Sequence, residues 1–378
     1  MAHAMLCPGE NSTMSREDFA HRLQRYVDTQ EIGQVIAAHS RGIDRAQPEI
    51  FNDVYHPDGE VAYGFFDGSA AEFAQVVTAG ADDTPGTLHR PSNVWVEVDG
   101  DTAKSETYVI VYTHAADETG QSTGETTFIG GRYLDRLERR NGVWKMNHRT
   151  YVMDWNTNQP GSGSAVPGFE AAFGLQGLKG PSDPSIPFLA ALGGTTQTTE
   201  GGQAMVEIST ELAAKAEEAF ARQDIHELIM AQARGIDRAD ADLFNSIWHN
   251  DSTVDVGGFQ GSGHEFVEMI LDATKDMKYM AHSVANEWVK IEGDTAKGEI
   301  YVIAFTTDAN GMDTMTGGRY LDGFEKRDGV WKYSHRSFVQ DWVVTQPSSD
   351  KRDEGMLGTL STQAAPFPND PVYAFWNA

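Results

Sequence analysis

Arg41-Gly42-Ile43-Asp44-Arg45 recurs letter for letter as Arg234-Gly235-Ile236-Asp237-Arg238, and that repetition decides how the 378-residue chain is read. The first copy closes a segment whose Ile32, Val35, Ile36 and Ile43 are spaced as one apolar helix face. Asp44 lies close to that face, where a carboxylate is costly to bury without a partner. The partner expected is His89, with Arg149 nearby; in the second copy the same trio is Asp237, His282 and Arg336.

A constant offset of 193 (237 less 44) also matches His56 with His249, His89 with His282, Asn93 with Asn286 and Trp95 with Trp288. After an insertion in the first copy the offset becomes 187 (317 less 130). It then matches Gly130-Gly-Arg-Tyr-Leu-Asp135 with Gly317-Gly-Arg-Tyr-Leu-Asp322, and Asp154-Trp155 with Asp341-Trp342. It also matches Asp183-Pro184 with Asp370-Pro371, so the repeat includes a long tail. The chain therefore reads as a tandem duplication: residues 1–192, a Gly- and Thr-rich linker at 193–206, and residues 207–378.

Within each copy helices come first. Ser15 suits an N-cap followed by acidic first-turn residues, and helical spacing runs on to about Asp44. Pro48 suits the first turn of the next helix, and Asp240 suits its cap in the second copy. Strand-like runs follow at Glu60–Phe65, Val94–Val98, Ser105–Tyr112, Phe128–Leu137 and Trp144–Trp155. Asp99-Gly100 and Asn141-Gly142 are the hairpin signals between them. This order predicts an α+β fold: two tandem cone-shaped α+β barrels, each a curved antiparallel sheet wrapped around helices.

Net charge is −27, which argues against nucleic acid or an anionic membrane as partner. A lone cysteine, Cys7, excludes an internal disulfide or a Cys-cluster metal site. With no apolar run of signal or membrane-span length, the expectation is a cytoplasmic protein that binds a small molecule. There is no HExxH, Walker, GxGxxG or GxSxG motif, so no metal and no cofactor is expected.

The chemistry-bearing candidates are Asp44, His89, Arg149, Asp237, His282 and Arg336. A histidine held by a carboxylate is a general base, and an arginine can stabilise a departing or developing anion. Strand alternation places Tyr151 and Met153 on the Arg149 face, and Phe338 and Gln340 on the Arg336 face; Ile129 is a further pocket candidate. Such a wall suits a largely apolar ligand with one polar or departing group. Each residue also has a plainer use: Asp44 as a helix-end cap, His89 as a polar residue in the loop before a strand, Arg149 in an ion pair. For His56 and His249, helix-end packing is the favoured role; His148 and His335 alternate with the arginines and should face away. Gly130-Gly131 and Trp144 are assigned to a sheet bend and core packing.

The run of Gly-Ile-Asp-Arg, a Tyr-His-Pro-Asp or Trp-His-Asn-Asp turn, His before a strand, and Gly-Gly-Arg-Tyr…Gly-Val-Trp-Lys resembles a SnoaL-like domain, over roughly 25–160 and 218–347. That resemblance implies the nuclear-transport-factor-2-like fold, shared by hexachlorocyclohexane dehydrochlorinase and scytalone dehydratase. In the former an Asp–His pair is the base and an Arg assists the leaving group; by motif these fall on Asp44, His89 and Arg149, and on Asp237, His282 and Arg336. The resemblance implies a cofactor-independent lyase that eliminates water, halide or a small carbonyl fragment such as formaldehyde from an aromatic or alicyclic molecule. A non-catalytic binding protein and an isomerase are the alternatives. Duplication further suggests an intramolecular pseudo-dimer, with the tails as arms for further self-association.

Overall fold

The computed structural model describes residues 15–79, 87–116, 122–160, 178–190 and 210–378. The proposed linker at 193–206 lies outside the described residues.

Each half opens with a long helix, α1 (Arg16–Asp44) in the first and α5 (Thr210–Asp237) in the second. Ser15 caps α1 by accepting the Asp18 backbone N–H, as its position before the acidic turn predicts. A short helix follows, α2 (Phe51–Val54) or α6 (Ala241–Ser246), the latter capped by Asp240. Next come β1 (Tyr55–Ala62), β2 (Asp67–Ser69) and α3 (Ala70–Thr78), matched by β7 (Trp248–Val256), β8 (Phe259–Ser262) and α7 (Gly263–Thr274). The strands β3 (Leu88–Asp99), β4 (Thr102–Ala116), β5 (Ser122–Arg140) and β6 (Val143–Pro160) form a meander. Their counterparts are β9 (Tyr279–Glu292), β10 (Thr295–Thr307), β11 (Met312–Arg327) and β12 (Val330–Pro347). Each tail carries a short helix, α4 (Ser185–Ala190) and α8 (Pro371–Asn377).

Two six-stranded sheets result, ordered β2-β1-β6-β5-β4-β3 and β8-β7-β12-β11-β10-β9. The fully antiparallel sheet expected from the sequence needs correction, because β1 and β7 pair in parallel with β6 and β12. The chain crosses from one edge of the meander to the other, and no local turn signal announces such a pairing. Register shifts at Gly130/Gly131 and Gly317/Gly318 curve both sheets, with Trp155 and Trp342 lying over the paired glycines. Each half packs its own apolar core, built on Ile32, Ile36 and Ile43 in one and Ile225, Ile229 and Ile236 in the other.

The halves meet through their outer sheet faces: Arg90 donates to its own counterpart Ser283 at 3.1 Å, and Trp155 stacks on Phe305 at 4.1 Å. The outer face of β3–β6 receives α5, β9 and the second tail. At its centre Arg132, fully buried, grips Asp154 (2.9 Å) and Asp370 (2.8 Å), with Glu106 at 3.4 Å and Arg238 closing the cluster. Leu357 and Leu360 of the second tail are buried in the first core. A buried charge stripped of its partner is strongly destabilising. Arg132→Met should therefore lower unfolding free energy by about 3–5 kcal/mol, measured by urea titration, whereas Arg319→Met at the exposed counterpart should change it little.

Candidate active site

The last turn of α1 carries Asp44 to the mouth of the first core, beside the start of β3. His89 is the second residue of that strand rather than part of a loop before it. Asp44 Oδ1 lies 2.6 Å from His89 Nδ1 and accepts the Thr87 hydroxyl at 2.8 Å, while Oδ2 accepts the His89 backbone N–H at 2.8 Å. A carboxylate only accepts, so Nδ1 carries the proton and Nε2 is left as the basic lone pair. The second half repeats this: Asp237 Oδ1 is 2.6 Å from His282 Nδ1, and Oδ2 accepts the His282 N–H at 2.9 Å. Burial would raise the Asp237 pKa. The charge and hydrogen bonds of His282, with Arg238, outweigh it and hold the carboxyl below its ordinary value. Both histidine side chains retain 12% exposure, so each is reachable from outside.

Arg149 and Arg336 do not bond to the histidines. Each is fully buried and bound side-on by a carboxylate the sequence reading had not singled out. Arg149 Nε and Nη2 donate to Asp135 at 2.6 and 2.7 Å, and Arg336 Nε and Nη2 donate to Asp322 at 2.8 Å each. Their guanidinium carbons sit 3.8 Å over Tyr133 and 3.9 Å over Tyr320. In both halves the remaining nitrogen, Nη1, has no partner. The arginine is thus not a free cation but a neutralised pair whose Nη1 offers two buried N–H donors. A hairpin signal could have found Asp135, since it and Arg149 stand equally far in sequence from Gly142 and lie opposite one another.

Near both His89 and Arg149 lies a residue that the sequence analysis does not name. His39 is fully buried with both ring nitrogens unpartnered; it stacks on Phe73 and meets Phe51, Tyr55 and Tyr133 edge-on. Burial first, then the charges of Arg149 and His89, push its pKa well below 6.5, so it is neutral at neutral pH. The second half has Gln232 at that position, likewise buried with both amide atoms unpartnered.

Of the pocket candidates, Ile129, Tyr151 and Met153 are buried in the first core, Tyr151 stacking on Tyr63 at 5.6 Å. Phe338 packs half-buried against the second core. Gln340 is exposed and does not line the interior, which corrects the expectation from alternation. Its equivalent, Met153, is covered because Thr362 and Ala364 of the second tail pair with its backbone; among the described residues Gln340 has no such cover. His56 and His249 clasp the Glu138 and Glu325 carbonyls through Nε2 at 2.9 Å each, a structural role. His148 and His335 face away, bonding Thr150 and Thr253. Among the described residues no three His, Cys, Asp or Glu side chains gather as a metal site would need. No described helix is long and apolar enough to cross a membrane.

The model of the SnoaL-like domain matches residues 24–150 and again 217–337. The chain belongs to the SnoaL-like family. No curated protein matches the sequence. Among solved structures, a type 2 hexachlorocyclohexane dehydrochlorinase (LinA) is 20% identical, the match covering 35% of this chain and 93% of that one, with a TM-score of 0.33. The type 3 enzyme from Novosphingobium barchaimii LL02 is 21% identical, covering 35% and 94%, with a TM-score of 0.33. A provisionally assigned scytalone dehydratase from Novosphingobium aromaticivorans is 21% identical, covering 35% and 88%, with a TM-score of 0.30. Both SnoaL-like halves thus carry the Asp–His clasp and the Arg–Asp pair.

A histidine whose folded pKa is depressed binds fewer protons folded than unfolded, so its burial costs stability as pH falls below the unfolded value. Stability should therefore drop below pH 6.5, the ordinary histidine value. His39→Gln, which copies the second half, should remove that part of the pH dependence while leaving stability at higher pH little changed. Urea titrations of both proteins across this window measure the difference.

Proposed function

We propose that the chain is a cofactor-independent lyase acting on a small, largely apolar aromatic or alicyclic molecule. The observation that carries this is the clasp: a carboxylate holds each histidine by Nδ1 and by its backbone N–H, aiming Nε2 as a base. Nε2 of His89 or His282 takes a proton from a substrate carbon. The freed electron pair forms the new double bond and expels hydroxide or halide with its own bonding pair; where formaldehyde leaves instead, Nε2 takes the proton from its hydroxyl, the O–H pair forms the carbonyl, and the carbon–carbon pair stays on the substrate carbon, which the imidazolium then protonates. Asp44 or Asp237 stabilises the imidazolium so formed. The unpaired Nη1 of Arg149 or Arg336 donates to the group that gains negative charge. Aromatic walls in the first half, such as Tyr63 stacked 4.6 Å from Phe73, suit a flat substrate.

One observation favours a second reading for the first half alone. The Tyr55, Tyr63 and Tyr151 hydroxyls are buried without partners in the interior that Arg149 shares, and their counterparts are Trp248, Val256 and Phe338. Burial, only partly offset by Arg149, pushes Tyr63 up to about 12, so it stays a neutral donor. Such donors suit an enolate held in place and reprotonated, which is isomerisation rather than elimination.

The test uses purified protein with a panel of aryl alcohols, organohalides and hydroxylated ring compounds, with products read by mass. Loss of water, acid or formaldehyde establishes elimination; an unchanged mass with a rearranged product establishes isomerisation. His89→Ala and His282→Ala should each silence one half, and the double variant should lose about 10²–10⁴-fold in turnover. Full turnover by the double variant would sink the mechanism. Ligand-induced thermal shifts with no product would leave a binding protein.

A further inference from the structure

Strands β3 and β9 are the last strands of their sheets, so the backbone groups along their outer edges have no strand beside them. In the second half that edge carries His282. Its N–H goes to Asp237 at 2.9 Å. The next two groups along the edge are closed by a side chain of the first half. Asn93 Nδ2 donates to the His282 carbonyl at 2.8 Å, and Asn93 Oδ1 accepts the Val284 N–H at 2.6 Å. One side-chain amide thus stands in for the peptide group of a missing strand. The backbone of His282 is held on both sides, through its N–H by Asp237 and through its C=O by Asn93.

Asn93 is itself held. It lies in a bulge between Ser92 and Trp95, at φ 47, the left-handed region that asparagine tolerates. The carbonyl of the next residue, Val94, is 2.8 Å from His226 Nε2 of α5, and His226 Nδ1 is 2.9 Å from Glu287. A carbonyl and a carboxylate both only accept, so both ring nitrogens carry protons. Burial opposes that charge, but the hydrogen bond and charge of Glu287 outweigh it and raise the His226 pKa to about 9. The junction is two-fold in outline, yet none of this recurs on its other side. Asn286 has the same backbone, φ 51, but is exposed and among the described residues makes no hydrogen bond to the first half. Pro91 stands in place of Val284 and has no N–H to offer it. Gly33 stands in place of His226, and Val94 in place of Glu287.

We propose that Asn93 is a positioning residue for His282, so that the second site is complete only with a side chain of the first half, while His89 works without an equivalent. The inference rests on the reading of His282 as the base. A base must stand within hydrogen-bond reach of the proton it takes, and an edge strand with open backbone groups lets its side chains drift from that position. Asn93 fixes the strand, the strand fixes the ring against Asp237, and Asn93 itself touches no substrate. His226 and Glu287 hold the bulge that presents it.

Full-length single-site variants test it: His89→Ala leaves the second site at work, and His282→Ala leaves the first. Asn93→Gly removes the amide and keeps a residue at ease in the left-handed region. Added to His89→Ala, it should lower kcat about 10–100-fold with KM little changed; added to His282→Ala, it should change neither. Asn93→Asp keeps the shape but has no donor for the His282 carbonyl, and should lose as much. Asn286→Gly, the matching change, should leave the first site as it was. Magnetic resonance of isotope-labelled histidine gives a readout that needs no turnover. The Nδ1 proton of His282, held 2.6 Å from Asp237, should broaden or vanish with Asn93→Gly, while that of His89 stays sharp. A protein that turns nothing over therefore refutes the reaction proposed above without deciding this inference, which the resonance decides alone. Should Asn93→Gly melt too early to assay, His226→Ala should impair the second site and the His282 resonance in the same direction. Full turnover at the second site, an equal loss at both sites, or an unchanged His282 resonance would overturn the proposal.

Discussion

The site depends on a carboxylate placed at the wrong end of a helix. Asp44 and Asp237 close the long helices α1 and α5, where the backbone dipole is negative and an anion is disfavoured. What offsets this is the full set of donors on each carboxylate: the histidine ring, the histidine backbone N–H and, in the first half, Thr87. Those bonds tie the helix end to the first strand of the meander. One interaction therefore sets the angle of helix to sheet and fixes the histidine tautomer. Neither partner can be moved alone, because an orphaned buried carboxylate costs more than the clasp contributes.

The two halves share this clasp but differ in what surrounds it. In the first half, the interior holds a neutral His39 and a set of tyrosine hydroxyls, and the second tail covers it through Leu357, Leu360 and the strand pairing at Met153. In the second half Gln232, Val256 and Phe338 take those positions, and Gln340 and Val343 remain exposed. In the proposed reaction the clasp supplies the base in both halves, and the two linings would select different ligands or different fates for one carbanion.

Much of this was legible in the chain because it was written twice. The repeat gave the halves, the helix ends, the hairpins and the pairing of Asp44 with His89. His39 was equally legible and was passed over: with Ile32, Ile36 and Ile43 it completes a stripe of helical spacing, and a histidine within such a stripe must be buried. The Asp135 partner of Arg149 could be found by folding the sequence at Asn141-Gly142. The parallel pairing of β1 with β6 could not, since residues far apart in sequence carry no local mark of it. Nor could the exposure of Gln340, which alternation places inside; whether that face is covered depends on a tail from the other half.

That dependence follows from what duplication preserves. The two sheet faces meet about Arg90 and its counterpart Ser283, while the second tail reaches across to cover the first half through Leu357, Leu360 and Val372. Arg132 and Arg319 are thus the same residue of the repeat in two surroundings, 0% and 28% exposed by side chain. Under the tail, Arg132 is one charge of a closed cluster with Glu106, Asp154 and Asp370; without that cover, Arg319 pairs with Glu299 and Asp341 at the surface, where such pairs contribute little in water.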